Sequence, residues 1–444
     1  MNRKLLNFGF LLAALLVLTG VAAAQDGPAK PEWTMAEHRA YTACTDDTVA
    51  ASRVKCLDGF FAAFPNSKLA VYAYRVYYTS YGELKQSRKV TEYTDKMLAL
   101  GSEKVDASTR LEAAYVGTTN FYAGYLPNIS DKEAYLTAGR TRAKTGLEIV
   151  AALKKPENLT EDQFAAQMKQ LRAIFYHAVG FTSLELKDYR EAIEGFKSAL
   201  EHNPADGLAW YRKGVAHLQN TPPEHLDGFW AVAKSISLKG PGEAQVRRYL
   251  RNQMLAYQQP TCEASIDAQM NELLALAGGA AERPAGYSIP NAAELEKARA
   301  EVGTFIADLK GGGDKAKITW LALCSSEFPE LFGKVFEVSE TAGTVTIKAF
   351  LGASQEEIEA STAPNSELKV SEQPEAARLV QKAGTNEGIF RFAGTLAGYE
   401  PEPFLLKWDK VKVNAEDIPE AKPEPKAPKK APAKRPAKKR PPTR

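Results

Sequence analysis

Four cysteines and five histidines are the residues of this 444-residue chain that could bind a metal ion or form covalent crosslinks. A zinc site needs closely spaced ligands, such as two cysteines separated by two residues. Cys44, Cys56, Cys262 and Cys324 do not have that spacing, and no His-x-x-x-His pair occurs. Residues 311–317 lack the Ser or Thr of a phosphate-binding loop, and there is no Gly-x-Ser-x-Gly motif. The sequence therefore predicts no metal, no cofactor and no catalytic residue.

The first residues of the chain indicate the compartment in which the cysteines act. Residues 1–24 combine a positive start, an apolar run and small residues at Ala22 and Ala24, which is the arrangement of a cleaved secretory signal. The alternative is an uncleaved membrane anchor, but the run is shorter than the roughly 20 residues of a spanning helix. We therefore expect an exported protein, periplasmic or extracellular, with no transmembrane segment after cleavage.

Export places the four cysteines in an oxidising compartment, where they can pair. The residues between Cys44 and Cys56 could turn between two antiparallel helices and bring the two thiols together. We therefore predict a Cys44–Cys56 disulfide, with two buried free thiols as the alternative. Cys262 and Cys324 are then the remaining candidate pair.

Helical periodicity dominates the chain from about residue 33 to residue 310, with Pro and Gly mostly between the apolar runs. This pattern predicts an all-α stack of helical hairpins. After the glycines at 311–313, short β-rich runs begin with KITWLALC and continue to about residue 414. Five or six such strands favour a compact antiparallel barrel, and Gly394 suits a bulge or a sharp bend in it.

The C-terminal residues 415–444 have no apolar periodicity, which predicts disorder. Residues 421–444 contain seven Lys and three Arg against one Glu. Such a Pro-stiffened polycation can bind phosphates, carboxylated glycans or anionic lipid head groups. A plain solubilising tail is the alternative.

Small and aromatic residues recur at regular positions in a frame of 34 residues that begins at Ala173. Small residues let two helices approach, an aromatic residue fills the gap between hairpins, and a proline ends the second helix. The pattern resembles the tetratricopeptide repeat (TPR) family. The fitting residues are Tyr176, Gly180, Ala192, Phe196, Ala199 and Pro204, followed by Trp210, Gly214 and Trp230 in a degenerate frame from Gly207. Residues 71–104 are a looser third match.

The TPR resemblance implies a superhelical scaffold whose concave wall, formed by the first helix of each hairpin, binds a peptide or protein. The groove positions carried over from the family are Tyr72, Arg75, His177, Phe181 and Tyr211, with Thr79, Leu184, Val215 and Leu218 beside them. This wall would be aromatic and apolar with one or two cations. Packing against a neighbouring helix is the alternative for each of these side chains.

The strand rhythm of residues 331–413 resembles a small OB-like barrel of a type found in bacterial secreted proteins. Such folds often bind oligonucleotides or sugars through aromatic and basic faces. The residues that could form such a face are Phe390, Arg391, Phe392, Lys407, Trp408 and Lys410, although strand alternation turns about half of them inward. Outside the cytoplasm nucleic acid is not expected, so a structural or protein-binding barrel is favoured.

Together these features predict four regions: a signal peptide (1–24), a TPR-like helical domain (33–310), an OB-like β domain (317–414) and a disordered Lys/Pro/Ala-rich tail (415–444). The expected function is that of a non-enzymatic scaffold for protein–protein interaction in the cell envelope. The alternative is binding of an envelope polyanion or glycan through the barrel and the basic tail. An enzyme is a third possibility and would need a polar cleft that the sequence does not reveal.

Overall fold

Residues 33–259 and 261–421 are described by the structure, a computed structural model, and they form two compact units. The first unit contains residues 33–257 and 266–289, and the second contains residues 258–265 and 290–421. The longer segment of the second unit starts at residue 290, so this unit includes helical residues that precede residue 310. The proposed signal peptide and residues 422–444 lie outside the described residues.

The first unit consists of helices that pack against their neighbours in sequence as hairpins. They are α1 (Met35–Thr45), α2 (Ala50–Ala63), α3 (Ala70–Glu83), α4 (Ser87–Ala99), α5 (Ala107–Gly124), α6 (Lys132–Ala152), α7 (Glu161–Glu185), α8 (Tyr189–His202), α9 (Gly207–Gln219), α10 (His225–Ser237), α11 (Glu243–Gln258) and α12 (Glu263–Gly279). The predicted stack of helical hairpins is therefore correct.

Side-chain caps set several of the helix starts. Thr160 begins α7 with a capping box, because its hydroxyl accepts from the Gln163 backbone N–H while the Gln163 side chain accepts from the Thr160 N–H. Asp206 caps α9 with its carboxylate, which accepts from the backbone N–H groups of Leu208 and Ala209. At α6 Asp131 is the residue before the helix, but its carboxylate pairs with Arg88 and does not cap.

The hairpin of α7 and α8 is held by the small and aromatic residues that the repeat pattern singled out. Phe196 is fully buried against Gly180, and a Cβ atom added to Gly195 would lie 2.8 Å from the Gly180 Cα atom. The two backbones therefore touch where only glycine fits. The other residues of the repeat pattern also take part in packing. Ala192, Ala199 and Trp230 are buried, and Gly214 contacts Val232. Tyr176 stacks on His202, and the Trp210 indole N–H donates to the Pro204 carbonyl.

A disulfide joins Cys44 of α1 to Cys56 of α2, with the two Cα atoms 5.2 Å apart. The turn between these helices thus brings the thiols together across the first hairpin. A second disulfide joins Cys262 and Cys324 within the second unit, with Cα atoms 5.6 Å apart, and the two cysteines are 62 positions apart in the sequence.

The second unit combines short helices with a barrel. Its further elements are α13 (Ala292–Ala300), α14 (Phe305–Gly311), α15 (Gly313–Leu323), β1 (Glu327–Thr341), β2 (Thr344–Phe350), α16 (Gln355–Ala360), β3 (Ser366–Val370), β4 (Ile389–Pro401) and β5 (Phe404–Val413). The segment KITWLALC was predicted to be a strand, and that prediction was wrong because it belongs to α15. Packing of α15 on α13 and α14, with Leu321 and Leu323 in the core, outweighs its β propensity.

The five strands close into a barrel in the order β1-β2-β3-β5-β4, which is OB-like. The predicted barrel is confirmed, and every strand pair is antiparallel except β3 with β5, which is parallel. The pairing register of β4 with β5 shifts between Ala393 and Thr395, which confirms the bulge predicted at Gly394.

Lys334 of β1 is a buried cation that ties the barrel to α16. It is 5% exposed, and its ammonium group donates to the backbone carbonyls of Glu359 and Ser361 and to the side-chain oxygen of Asn386. The carbonyls at a helix C-terminus attract a positive charge. Lys334 therefore fixes the end of α16 against the barrel.

Candidate binding surface of the helical unit

The first helices of successive hairpins contact one another through polar and aromatic side chains, and we call this row the first-helix wall. Arg75 of α3 pairs with Glu112 of α5 at 2.7 Å. The Tyr122 hydroxyl of α5 lies 2.9 Å from Nδ1 of His177 in α7. Tyr211 of α9 packs edge-on against Tyr249 of α11, at 5.9 Å between ring centroids. The wall thus runs from α3 to α11.

At the α3 end, the predicted residues Tyr72 and Arg75 are open to solvent. Tyr72 is 52% exposed and packs edge-on against Trp33, while the Arg75 side chain is 42% exposed. The carboxylate of Glu112 also accepts a hydrogen bond from Tyr78, so it is held in place from two sides. This end of the wall offers an aromatic ring and a cation to a ligand.

His177 lies at the centre of the wall and is held between two partners. Arg212 of α9 places its guanidinium 3.3 Å from His177 Nε2. Because arginine can only donate, Nε2 must accept, so the proton of the neutral ring is on Nδ1 and is donated to the Tyr122 oxygen. The Tyr122 O–H remains available to donate to another group. His177 therefore serves to orient Tyr122 and does not itself face a ligand.

Burial, together with the positive charge of Arg212, lowers the pKa of His177 to about 4. The imidazole is therefore neutral near neutral pH. Burial also lowers the pKa of Arg212, although a guanidinium stays charged in proteins. The centre of the wall thus carries one cation and a neutral, oriented imidazole.

Phe181, the next predicted groove residue, is only 6% exposed and packs inside the wall. Its ring lies under the Arg212 guanidinium, 4.4 Å from the ring centroid. One turn further along α7, Glu185 accepts from Tyr125 and pairs with Lys132 at 2.9 Å. Phe181 thus supports Arg212, and the structure gives it the packing role that was the alternative at sequence level.

Sequence reasoning missed Tyr122 and Arg212, which give the wall its polar centre. Arg212 directly follows the predicted Tyr211, and Tyr122 lies on the first helix of a hairpin that no repeat frame covered. The available signal was the spacing of Glu112, Tyr115 and Tyr122 on one face of α5. Their contacts depend on how neighbouring helices are placed, which spacing alone does not give.

A separate open cleft of about 980 Å³ lies beside α4 and α6. At its base Arg142, 2% exposed, donates to both carboxylate oxygens of Asp95 at 2.7 and 2.8 Å and to the Gly117 carbonyl. This bidentate pair is internally satisfied and supports the packing of α4, α5 and α6. Nothing in the geometry couples it to a nucleophile or to a proton donor.

The aromatic and basic face considered for the barrel is not formed. Phe390, Phe392 and Trp408 are in the barrel core, at most 2% exposed. Arg391 points outward and is paired with Glu416 and Asp417, while Lys407 is paired with Glu400. Residues 415–417 form a short 3-10 turn, so the segment predicted to be disordered from residue 415 is ordered at its start. Lys410 is exposed.

Within residues 33–259 and 261–421, no group of His, Cys, Asp or Glu side chains has a geometry that could hold a metal ion. In the same described residues, no helix has the length and apolar character needed to cross a bilayer.

By its fold, the protein belongs to a class in which a unit of repeated helical hairpins is followed by a small closed β-barrel. A scan of the sequence against protein-family models and a search among curated proteins found no match.

Proposed function

We propose that this chain is an exported, non-enzymatic scaffold of the TPR type that binds a segment of another protein along the first-helix wall. The observation that supports this proposal is the continuous row of contacts from Arg75–Glu112 through Tyr122, His177 and Arg212 to Tyr211. A row of fixed polar and aromatic groups on the first helices of successive hairpins is suited to an extended ligand.

The chemistry of the wall favours a polypeptide. Arg75 and Arg212 offer cations for carboxylates or backbone carbonyls. Tyr72, Tyr115 and Tyr211 add partly exposed aromatic surface, which is enriched at protein interfaces. These donors would bind the carbonyl and carboxylate groups of an extended segment while the rings pack on its side chains.

Export is part of the proposal, and the disulfides support it. Disulfides are stable in the periplasm and outside the cell and rare in the cytoplasm. The pairs Cys44–Cys56 and Cys262–Cys324 account for all four cysteines. This pairing agrees with the signal-like residues 1–24.

A site-specific crosslinking experiment tests the binding wall. A photo-crosslinking amino acid replaces Tyr115 or Tyr211 in the full chain in its native host, and the matched control carries it at Tyr189, at the start of the second helix α8. We expect the two wall positions to capture the same protein and the control position not to capture it. Identical products from all three positions would contradict the proposal.

A pair of arginine variants then tests the chemistry. Arg212→Met removes the cation at the centre of the wall, and Arg190→Met removes an exposed arginine from α8. Loss of one interface cation should reduce the captured product about five-fold for Arg212→Met. Arg190→Met should leave the yield unchanged, and an equal loss in both variants would show that binding does not involve Arg212.

The alternative function, binding of an envelope polyanion or glycan, is supported only by the basic tail, since the aromatic residues predicted for the barrel face, Phe390, Phe392 and Trp408, are buried in the barrel core. We expect any such binding by the full chain to weaken as salt rises and to disappear in a chain that ends at residue 421. Retention of polyanion binding by that shorter chain would assign it to the barrel or the helical unit instead.

A further inference from the structure

The second unit has an apolar groove beside β1, which we call the Phe332 groove. It encloses about 410 Å³, and six apolar side chains line it: Ile306, Leu331, Phe332, Leu351, Ile358 and Ile389. Phe332 is 49% exposed, although it lies among these apolar neighbours. Exposed apolar residues that form a contiguous patch mark interaction sites, whereas scattered ones do not.

The rim of the Phe332 groove is acidic. Glu330 lines the groove directly, and Glu356 and Glu357 lie in α16 next to its lining residues. No cation within residues 33–259 and 261–421 pairs with these three carboxylates, although Glu357 accepts a hydrogen bond from the Ala353 N–H. The whole second unit has 23 acidic and 14 basic residues, a formal charge of −9. The groove would therefore favour a segment with positive charge.

The segment of this chain that follows residue 421 has the complementary character. Residues 422–444 contain ten Lys or Arg and one Glu, a formal charge of +9, together with seven prolines. At about 3.1 Å per residue, an extended Pro-rich segment of 23 residues would reach about 70 Å, enough to extend across a small domain. Pro-rich segments bind grooves lined by aromatic residues, because their extended conformation costs little entropy to fix.

The origin of this segment lies on the same unit as the groove. Asp417 accepts from both the backbone N–H and the side chain of Arg391, which is two residues after the groove residue Ile389 in β4. The chain is thus fixed beside the start of β4 just before residues 422–444 begin. Attachment at this point keeps the segment at a high effective concentration near the groove.

We propose that residues 422–444 bind the Phe332 groove of the same chain, with prolines packed on Phe332 and lysines or arginines paired with Glu330, Glu356 and Glu357. This contact does not depend on the binding function proposed for the helical unit. In this arrangement the barrel unit competes with any external polyanion for the basic segment.

Carbodiimide crosslinking of the full chain tests the contact, because the reagent joins a lysine to a carboxylate in direct contact. We expect crosslinks from Lys426, Lys429 or Lys430 to Glu330, Glu356 or Glu357, identified by mass spectrometry. Raising the salt concentration from about 0.05 M to about 0.5 M should suppress these crosslinks, because salt screens the attraction between the exposed lysines and the carboxylates. Crosslinks from these lysines that are distributed evenly over the carboxylates of the second unit would overturn the proposal.

Two variants separate the groove from general electrostatic attraction. Phe332→Ser keeps every carboxylate but removes the aromatic ring, and it should lower these crosslinks about five-fold. Val380→Ser removes another exposed apolar side chain of the second unit, 55% exposed and outside the groove, and should leave them unchanged. Equal yields in both variants would show that the groove does not bind the segment.

The remaining alternative occupant of the Phe332 groove is the basic segment of a second copy of the chain. Crosslinking an equal mixture of isotope-labelled and unlabelled protein distinguishes the two cases, because a contact within one chain yields products of a single isotope type. Mixed-isotope products between the segment and Glu330 would assign the groove to another copy and would overturn the intrachain proposal.

Discussion

His177 Nε2 accepts a hydrogen bond from the Arg212 guanidinium at 3.3 Å, and this contact determines which nitrogen of the imidazole carries the proton. A protonated His177 would place two cations against each other. The ring therefore remains neutral, and its Nδ1–H is committed to the Tyr122 oxygen. One arginine thus sets the orientation of a tyrosine on a different helix.

This contact predicts how stability depends on pH. His177 has a pKa of about 4 in the folded protein and about 6.5 when unfolded, so the unfolded state takes up the extra proton between these values. The folded state should therefore lose about 2 kcal/mol as the pH falls from about 6.5 to about 4. Urea unfolding at several pH values measures this loss.

The control for the pH prediction is His177→Gln, which keeps an acceptor for Arg212 but does not titrate. This variant should lack the part of the acid destabilisation that belongs to His177. If the two proteins lose the same stability over this range, His177 is not the titrating group.

A second prediction concerns the contact between Gly180 and Gly195. A Cβ atom at position 195 would lie 2.7 Å from the Gly180 nitrogen, and backbone atoms cannot move aside as a flexible side chain can. Gly195→Ala should therefore cost about 1–3 kcal/mol in unfolding free energy despite the better helix propensity of alanine. Thermal and urea unfolding give this value.

Gly59→Ala in α2 is the matched control. No heavy atom outside its immediate surroundings lies within 4 Å of a Cβ atom at this position. The alanine should stabilise the helix by about 0.5–1 kcal/mol. A stabilising effect at position 195 as well would mean that α7 and α8 do not approach as closely as described.

The pair of Arg142 and Asp95 provides a third prediction. Asp95→Ala leaves the Arg142 guanidinium, whose side chain is 1% exposed, without its carboxylate, whereas the Asp95 side chain is 36% exposed. Leaving a buried donor without its partner should cost about 1–3 kcal/mol. Glu194→Ala breaks the exposed pair with Lys197 at 3.9 Å and should cost less than about 1 kcal/mol. Similar losses in both variants would show that Arg142 finds water when its partner is removed.

Lys334 leads to a fourth prediction. Lys334→Met retains most of the apolar volume but leaves the carbonyls of Glu359 and Ser361 without their donor. The variant should lose about 1–3 kcal/mol, and amide hydrogen exchange should accelerate in α16. Lys348→Met removes an exposed lysine paired with Glu337 and should change neither. Unchanged exchange in α16 of Lys334→Met would exclude the anchoring role.

The sequence was sufficient to predict most of the helices because their ends are encoded locally. Thr160 with Gln163 and Asp206 with the following N–H groups mark the starts of α7 and α9, and Pro204 follows the end of α8. The local signal failed at KITWLALC, where contacts with α13 and α14 decide the conformation. The parallel pairing of β3 with β5 joins segments about 40 residues apart, and no local pattern specifies it.

The binding surface was less predictable than the fold. The TPR-like spacing led to His177, Phe181 and Tyr211, but the exposed fraction of each depends on the neighbouring helix. Phe181 is buried by Arg212 and Tyr122, which come from α9 and α5. Likewise, the burial of Lys334 cannot be predicted from strand alternation, because its partners lie at the end of α16 and before β4.

The disulfide between Cys262 and Cys324 also has a consequence for the integrity of the chain. It closes a covalent ring that includes residues 263–323 and therefore α12, α13, α14 and α15. A protease that cleaves one peptide bond in this ring leaves a single covalent molecule, because both fragments remain linked through sulfur. Such a nick becomes visible on a denaturing gel only after a reductant is added.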